Sequence, residues 1–241
     1  MKRIENGGYE IDMKITTLLF FAVLIFVATV SNAQDVPLIN TAGRTRIEAA
    51  LETGSGLSSV DVGTTNTGET VKISGGGGSG FSLTIGYGLT RIFDIDATLG
   101  SQESKFIPPV KNASGTFKRN IAGVTLKYKI PLSDTSQMKI GAGLGSYRSG
   151  EMNMNTSDIP GGSHVAVHYG SALGKKFSVE YEGFGSHSLS FLIGLKYYMV
   201  TYAASSASLN GASRPTGALI DDLKNLNGNG VDLTIGLAYY F

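Results

Sequence analysis

The sequence predicts an all-β protein: a single antiparallel up-and-down transmembrane β-barrel of 8 to 10 strands that follows a cleaved signal peptide. Three observations support this fold class. Apolar and polar residues alternate with period two in one segment after another, as they do in strands with one polar face. Short and long connections alternate along the chain. The 33 Gly, 11 Tyr and 11 Phe favour strands and turns over helices.

The N-terminal region has the features of an export signal. A lysine precedes an apolar run over 15–30, and residues 31–33 are the small Ser-Asn-Ala that suits a signal peptidase. An uncleaved anchor is the alternative, but the run is shorter than the ~20 residues of a membrane-spanning helix. We therefore divide the chain into a signal peptide, 1–33, in which 1–12 is an over-extended start, and a barrel domain, 34–241.

The last segment, Val231 to Phe241, shows the strand pattern most clearly, because its odd-numbered residues are all apolar and the others are mostly small or polar. We expect four further segments to run in the same direction: 81–89, 122–130, 165–169 and 189–199. The sequence FLIGLKYYM in the last of these is close to a copy of LTIGLAYYF at 233–241. Strands that return in the opposite direction are expected near 46–52, 93–99, 138–144, 177–182 and 202–209.

The connections predict the architecture. Short turns are expected at 90–91, 131–136 and 174–176, and long polar loops at 54–78, 103–116 and 149–162. This asymmetry is typical of outer-membrane barrels, whereas a β-sandwich would cover its apolar faces with a second sheet. Aromatic residues are expected in a girdle at the short-turn end: Tyr87, Phe93, Tyr128, Phe177, Tyr197, Tyr239 and Phe241.

Ten strands are favoured over eight, because two near-identical segments that both descend require an ascending strand, 202–209, between them. A short helix capped by Thr216 is expected over Thr216 to Leu226, inside the last long loop. Either strand count gives a narrow barrel whose side chains largely fill the lumen.

The chain resembles the small outer-membrane β-barrel proteins of Gram-negative bacteria, of the OmpA/OmpX-like kind, over nearly all of 34–241. The most specific part of the resemblance is Phe241 with Tyr239 and Leu237 before it, which looks like the signal that the barrel-assembly machinery recognises. The resemblance implies an outer-membrane location after export through the inner membrane. Its implied partners are outer-membrane lipid and lipopolysaccharide, the barrel-assembly machinery and a surface ligand.

The polar face of the predicted strands carries charges of both signs. We expect them to form a polar network in the lumen, because charges removed from water persist mainly when they are paired. The alternative is a thin polar path or a gated pore. The expected network consists of Arg46, Glu48, Asp94, Asp96, Lys127, Lys129, Lys139, His168, Glu180, Glu182 and Lys196.

Catalytic and metal chemistry have little support in the sequence. His164 and His168 share the lumen face of their strand, and a turn at 174–176 would set His168 opposite Glu182. Lipid-modifying chemistry requires a lipid-facing site, however, whereas Ser178 shares the lumen face and Ser171 lies in no nucleophile motif. Two histidines four apart in a strand are about 13 Å apart and cannot hold one ion. We therefore expect no enzyme activity, no metal and no cofactor. The net charge of +1 also disfavours nucleic-acid binding.

Three functions are compatible with these observations. The first is a structural or surface-interaction barrel that presents its long loops. The second is a narrow pore or a transport barrel for small hydrophobic molecules. The third is a lipid-modifying enzyme built around His168.

Overall fold

The computed structural model describes residues 40–65, 68–156 and 162–241, so the predicted signal peptide lies outside the described residues. The described chain is almost entirely β-structure. Its strands are β1 (Thr45–Gly56), β2 (Val60–Thr64), β3 (Thr70–Ile73), β4 (Gly77–Gly88), β5 (Phe93–Lys105), β6 (Ser114–Ser133), β7 (Ser136–Asn155), β8 (His164–Tyr169), β9 (Ala172–Phe184), β10 (Leu189–Met199), β11 (Thr201–Leu209), β12 (Ala212–Arg214), β13 (Asn225–Asn227) and β14 (Gly230–Tyr240). A 3₁₀ turn covers Thr216–Ala218, and one helical turn, α1, covers Asp221–Lys224.

Eight of these strands close into an antiparallel barrel. The order around the wall is β1, β4, β5, β6, β7, β9, β10 and β14, and β14 pairs with β1 to complete the circle. The line of paired residues that starts at Arg46 passes once around the wall and returns to β1 at Gly56, ten residues further on. This stagger tilts the strands and gives a narrow barrel, in which side chains can fill the lumen.

The outer surface of the wall is an apolar belt. Ile235, Leu83 and Ile193 are 57%, 53% and 44% exposed, and their neighbours on adjacent strands are apolar as well. Within the described residues nothing covers this surface, and a closed barrel pairs its backbone groups without a free edge. The prediction of a transmembrane barrel is therefore confirmed, and the protein is an outer-membrane protein. Among the described residues, no helix is long and apolar enough to span a membrane.

The barrel continues into a folded region at the end opposite the short turns, which we call the outer end. There β6 and β7 extend beyond the belt, β8 pairs with β7, and β11 pairs with β8. β12 and β13 pair with β11. The hairpin of β2 and β3 joins this region through a bridge between Lys72 and Ile107. The predicted long loop over 54–78 thus contains two strands.

The structure corrects the predicted strand count and two strand directions. β10 and β14 pair directly and antiparallel, with Ile193 opposite Ile235, so the two similar segments run in opposite directions. Residues 202–209 belong to β11, which continues β10 after Val200, and the barrel has eight strands rather than ten. Period-two alternation indicates a strand but not its direction, which explains the error.

The predicted turn at 174–176 is also wrong, because these residues lie inside β9. The turn is at 185–188, between β9 and β10, and β9 therefore runs opposite to the predicted direction. Phe177 and Tyr197 pair with each other far from this turn, so they do not belong to the girdle at the turn end. Tyr181 and Phe191 lie nearer to it, with ring centroids 5.8 Å apart.

The predicted helix over Thr216 to Leu226 is reduced to the 3₁₀ turn and α1. Thr216 does not cap α1. The N-cap is Ile220, which has no side chain that could accept a hydrogen bond. Leu223 is buried and Leu226 belongs to β13, so packing and strand pairing limit the helix to one turn.

Candidate functional site

The lumen is the most densely charged part of the molecule, and strand alternation positions its side chains. Arg46 and Glu48 point inward from β1 because Ile47 between them faces outward. Glycines on neighbouring strands leave room for the long side chains. A Cβ at Gly86 would lie 2.6 Å from Asp96 Oδ1 and 2.8 Å from the guanidinium carbon of Arg46, so a larger residue there would displace this ion pair.

Asp94 and Asp96 form the centre of the network at the turn end of the lumen. Arg46 donates to Asp94 at 2.8 Å and to Asp96 at 2.7 Å. The Lys129 and Lys139 ammonium groups lie 2.6 Å and 3.2 Å from Asp94. One buried carboxylate thus contacts three cations from three other strands.

Two glutamates of β9 extend this network across the lumen. The Lys127 ammonium lies between Asp96, at 2.7 Å, and Glu180, at 2.6 Å. Lys139 pairs with Glu182 at 2.7 Å. Three further groups donate hydrogen bonds to Glu182 at 2.6 to 2.7 Å: the Gln137 amide and the hydroxyls of Ser190 and Tyr240.

A second network lies closer to the outer end. Lys196 pairs with Glu52, which also accepts a hydrogen bond from Ser82. The Gln102 amide donates to Asp232 at 2.6 Å. The amide oxygen of Gln102 accepts a hydrogen bond from Arg119 at 2.6 Å, and Arg119 also donates to the Tyr198 hydroxyl at 2.8 Å.

The inward charges of the described strands balance. Seven cations (Arg46, Arg119, Lys127, Lys129, Lys139, Lys176 and Lys196) face seven carboxylates (Glu48, Glu52, Asp94, Asp96, Glu180, Glu182 and Asp232). A cavity of about 20 Å³ lies beside the second network, lined in part by Lys176, Thr98 and Ser82. A cavity of this size holds about one water molecule. Most of the inward charged side chains around it are almost fully buried, as they are in a filled lumen.

Ten of the eleven predicted lumen residues are buried in the lumen, and His168 is not. His168 is exposed on the outer end, opposite Glu151 of β7 and Ser206 of β11. Glu182 instead lies opposite Gln137 and Leu192. The error follows from the misplaced turn, since β8 continues into β9 and the two cannot face each other.

The predicted polar network did not include several lumen residues, among them Arg119, Gln102 and Tyr198. Arg119 was missed because the strand was predicted to begin at residue 122, whereas β6 begins at Ser114. Extending the odd-numbered inward face of β6 from Lys127 back to residue 119 would have identified it. Leu237, Tyr239 and Phe241 lie on the outward face and are 59%, 50% and 65% exposed.

An apolar cluster closes the outer end above the second network. Its most buried members are Phe117, Met152, Val167, Tyr202 and Leu226, all fully inaccessible to solvent. The Phe117 ring meets those of Tyr202 and Tyr169 at centroid distances of 5.2 and 5.7 Å, close to edge-on. Burial raises the pKa of Tyr169 and of Tyr202 because a phenolate would be desolvated there.

The closed eight-stranded barrel, the apolar belt and the filled polar lumen define a small outer-membrane β-barrel protein. Its fold is similar to that of the outer membrane protein OprG from Pseudomonas aeruginosa, with a TM-score of 0.56, 15% identity and coverage of 86% of this chain and 99% of that one. Neisserial surface protein A has a TM-score of 0.46 at 12% identity, covering 82% of this chain and 96% of that one. No protein-family model and no curated protein sequence matches the chain.

Proposed function

We propose that the protein is a non-catalytic barrel with a structural or surface-interaction role in the outer membrane. The observation that carries this proposal is the closure of the lumen: paired charges fill it, and the apolar cluster closes its outer end. The folded region at the outer end is then the part available to a ligand. Its proposed partners are a surface ligand, the lipopolysaccharide around the belt and the barrel-assembly machinery.

The energetics of the lumen favour a barrel that does not conduct. A solute that passed the turn-end network would have to separate Arg46 and Lys139 from Asp94 and Glu182, which have almost no solvent contact. Removing one partner from a buried pair costs about 3–5 kcal/mol, because the remaining charge is left uncompensated. Several such pairs lie side by side, so spontaneous opening is strongly disfavoured.

The positions of the histidines support a non-catalytic role. A hydrolase of the type considered requires a nucleophile, a histidine and a carboxylate within hydrogen-bonding distance. His168 lies at the outer end, whereas Glu182 is buried beside Lys139 in the turn-end network. Ser178 faces the lumen between the two networks. These three groups therefore do not form one site.

Transport of small hydrophobic molecules is the second candidate, because one part of the wall is interrupted beside the apolar cluster. Strand pairing between β9 and β10 ends at Lys175 and Met199. Further along, the amide of Gly170, between β8 and β9, donates to the carbonyl of Ala203 in β11 at 3.0 Å. Val200, on the facing strand at this interruption, belongs to the cluster. A small apolar molecule could enter the cluster here if the strands separated.

Conductance measurements test the proposal. We expect refolded protein in planar bilayers to stay at baseline current, and vesicles that contain it to take up a fluorescent apolar probe no faster than empty ones. A double variant, Asp94→Ala with Lys139→Ala, removes one charge of each sign and serves as an opened control that should conduct. Current steps from the wild-type protein would refute the closed barrel, and rapid probe uptake would favour the second candidate.

A further inference from the structure

Lys175 occupies an unusual position on the outward surface of β9. The outward residues on either side of it along the strand are Leu173, which is 74% exposed, and Phe177, which is 47% exposed. Its partners on the adjacent strands are Leu144 of β7 and Met199 of β10. The ammonium group is therefore attached to a surface that is apolar on all four sides, at the outer boundary of the belt.

A cation at such a boundary is stable when its side chain reaches the lipid headgroups or meets an anion. Among the residues that the structure describes, Lys175 has no carboxylate within ion-pair distance. The lipid is then the remaining source of a negative charge at this height. A phosphate group is the anion that lipid headgroups supply.

A second outward cation lies near Lys175 on the next strand. Arg148 of β7 is exposed, and its Nε donates to the Ser146 hydroxyl at 3.0 Å, which orients the guanidinium group. Within the described part of the chain it has no carboxylate partner either. Lys175 lies opposite Leu144, so Arg148 is four residues, or about 13 Å, further along β7. Two long side chains at this separation can reach two phosphates of one large headgroup.

The two cations occupy one side of the barrel. On the opposite side, outward positions near the outer boundary of the belt are uncharged: Thr53 on β1, Ser79 on β4 and Val231 on β14. The nearest other outward cation, Lys118 of β6, is paired with Glu103 at 3.3 Å. Among the described residues of the eight barrel strands, the outward cations without a carboxylate partner at this boundary thus lie on β7 and β9.

We propose that Lys175 and Arg148 form a binding site for the phosphorylated headgroup of an outer-leaflet glycolipid, of the bisphosphorylated diglucosamine type found in lipopolysaccharide. The guanidinium group suits bidentate contact with one phosphate, and the ammonium group binds the other as a point charge. The inference rests on the lipid partner proposed above and gives it a location. It does not depend on whether the lumen conducts.

Lipid binding to the full-length protein, refolded in non-ionic detergent, tests the site. Native mass spectrometry would compare bisphosphorylated lipid A with its fully dephosphorylated form for the wild type, Lys175→Gln, Arg148→Gln and the double variant. Each single variant should bind the bisphosphorylated lipid about fivefold more weakly, as expected for one cation near a membrane surface. The double variant should bind both lipids equally. Lys72→Gln, which removes an exposed cation of β3, is the matched control and should bind like the wild type.

Unchanged binding by the double variant would overturn the proposal, provided that its heat-dependent gel shift shows a folded barrel. Displacement of the lipid by inorganic phosphate at equal phosphate concentration would also overturn it, because the site would then recognise the free anion. A conducting barrel that still prefers the phosphorylated lipid would refute the closed-lumen function alone. A silent barrel without that preference would refute the lipid site alone.

Discussion

At the scale of single residues, Asp94 determines the charge balance of the turn-end network. Its carboxylate contacts Arg46, Lys129 and Lys139, and all four groups are almost fully buried. The three cations repel one another, and the negative charge of Asp94 compensates this repulsion. The network is therefore more sensitive to the loss of Asp94 than to the loss of any one of its cations.

We expect Asp94→Asn to lower the free energy of unfolding by about 3–5 kcal/mol, because the amide leaves buried cations without their shared anion. Urea unfolding of the protein in detergent micelles measures this change. The control is Asp61→Asn, whose exposed carboxylate lies 3.8 Å from Lys72 and should contribute at most about 1 kcal/mol. Adding Lys129→Met to Asp94→Asn should recover part of the lost stability, and further destabilisation by the second change would contradict this account.

At the scale of elements, β7 combines two kinds of strand in one. Near the turn end the inward residue Lys139 of β7 is charged, and the outward residues of the strand belong to the apolar belt. Near the outer end its inward residue Met152 belongs to the apolar cluster, and the exposed surface is polar. The change occurs near Tyr147, which contacts both the second network and the cluster. The outer part of β7 thus has the pattern of a water-soluble sheet, and the inner part that of a membrane barrel.

This division predicts that the outer end can lose its packing while the barrel persists. Phe117→Ala should destabilise the cluster by about 3–5 kcal/mol, because a fully buried phenyl ring is replaced by a cavity. We expect faster proteolytic cleavage within 57–76, with the heat-dependent gel shift of the barrel retained. Ile107→Ala, at a side chain that is 69% exposed, is the control and should leave cleavage unchanged. Loss of the gel shift in Phe117→Ala would show that the two halves fold as one unit.

The same division explains how much of the structure could be predicted. The membrane half was accessible from the sequence, because lipid outside and charge inside give strict alternation, as in Arg46 to Glu52 and in Leu233 to Phe241. Strand direction was not, because FLIGLKYYM reads as a strand whichever way it runs. The outer half was harder to predict, because long strands such as β6 continue there past the lipid belt, and its packing depends on contacts between distant segments such as Phe117 and Tyr202.

At the scale of the whole molecule, the last strand closes the barrel. β14 pairs with β1 along eleven positions, from Arg46 with Tyr240 to Gly56 with Gly230, and with β10 on its other side. The amide of Phe241 donates to the Thr45 carbonyl at 2.9 Å, whereas its ring faces outward and packs against Tyr239 at a centroid distance of 5.0 Å. The main chain of Phe241 therefore helps to close the barrel, whereas its side chain is exposed at the turn end.

We therefore expect Phe241→Ala to impair assembly in cells more than it impairs the folded barrel. The substitution keeps the main-chain bond to Thr45 and removes an outward ring that the barrel-assembly machinery is proposed to recognise. The heat-shifted fraction in outer membranes after a pulse of synthesis should fall several-fold, while export of the chain and refolding in detergent micelles stay unchanged. Phe81→Ala, which removes another outward ring that is 55% exposed, is the matched control and should assemble normally. Equal defects in both variants would assign the effect to lost lipid contact, and a refolding defect confined to Phe241→Ala would assign it to barrel closure.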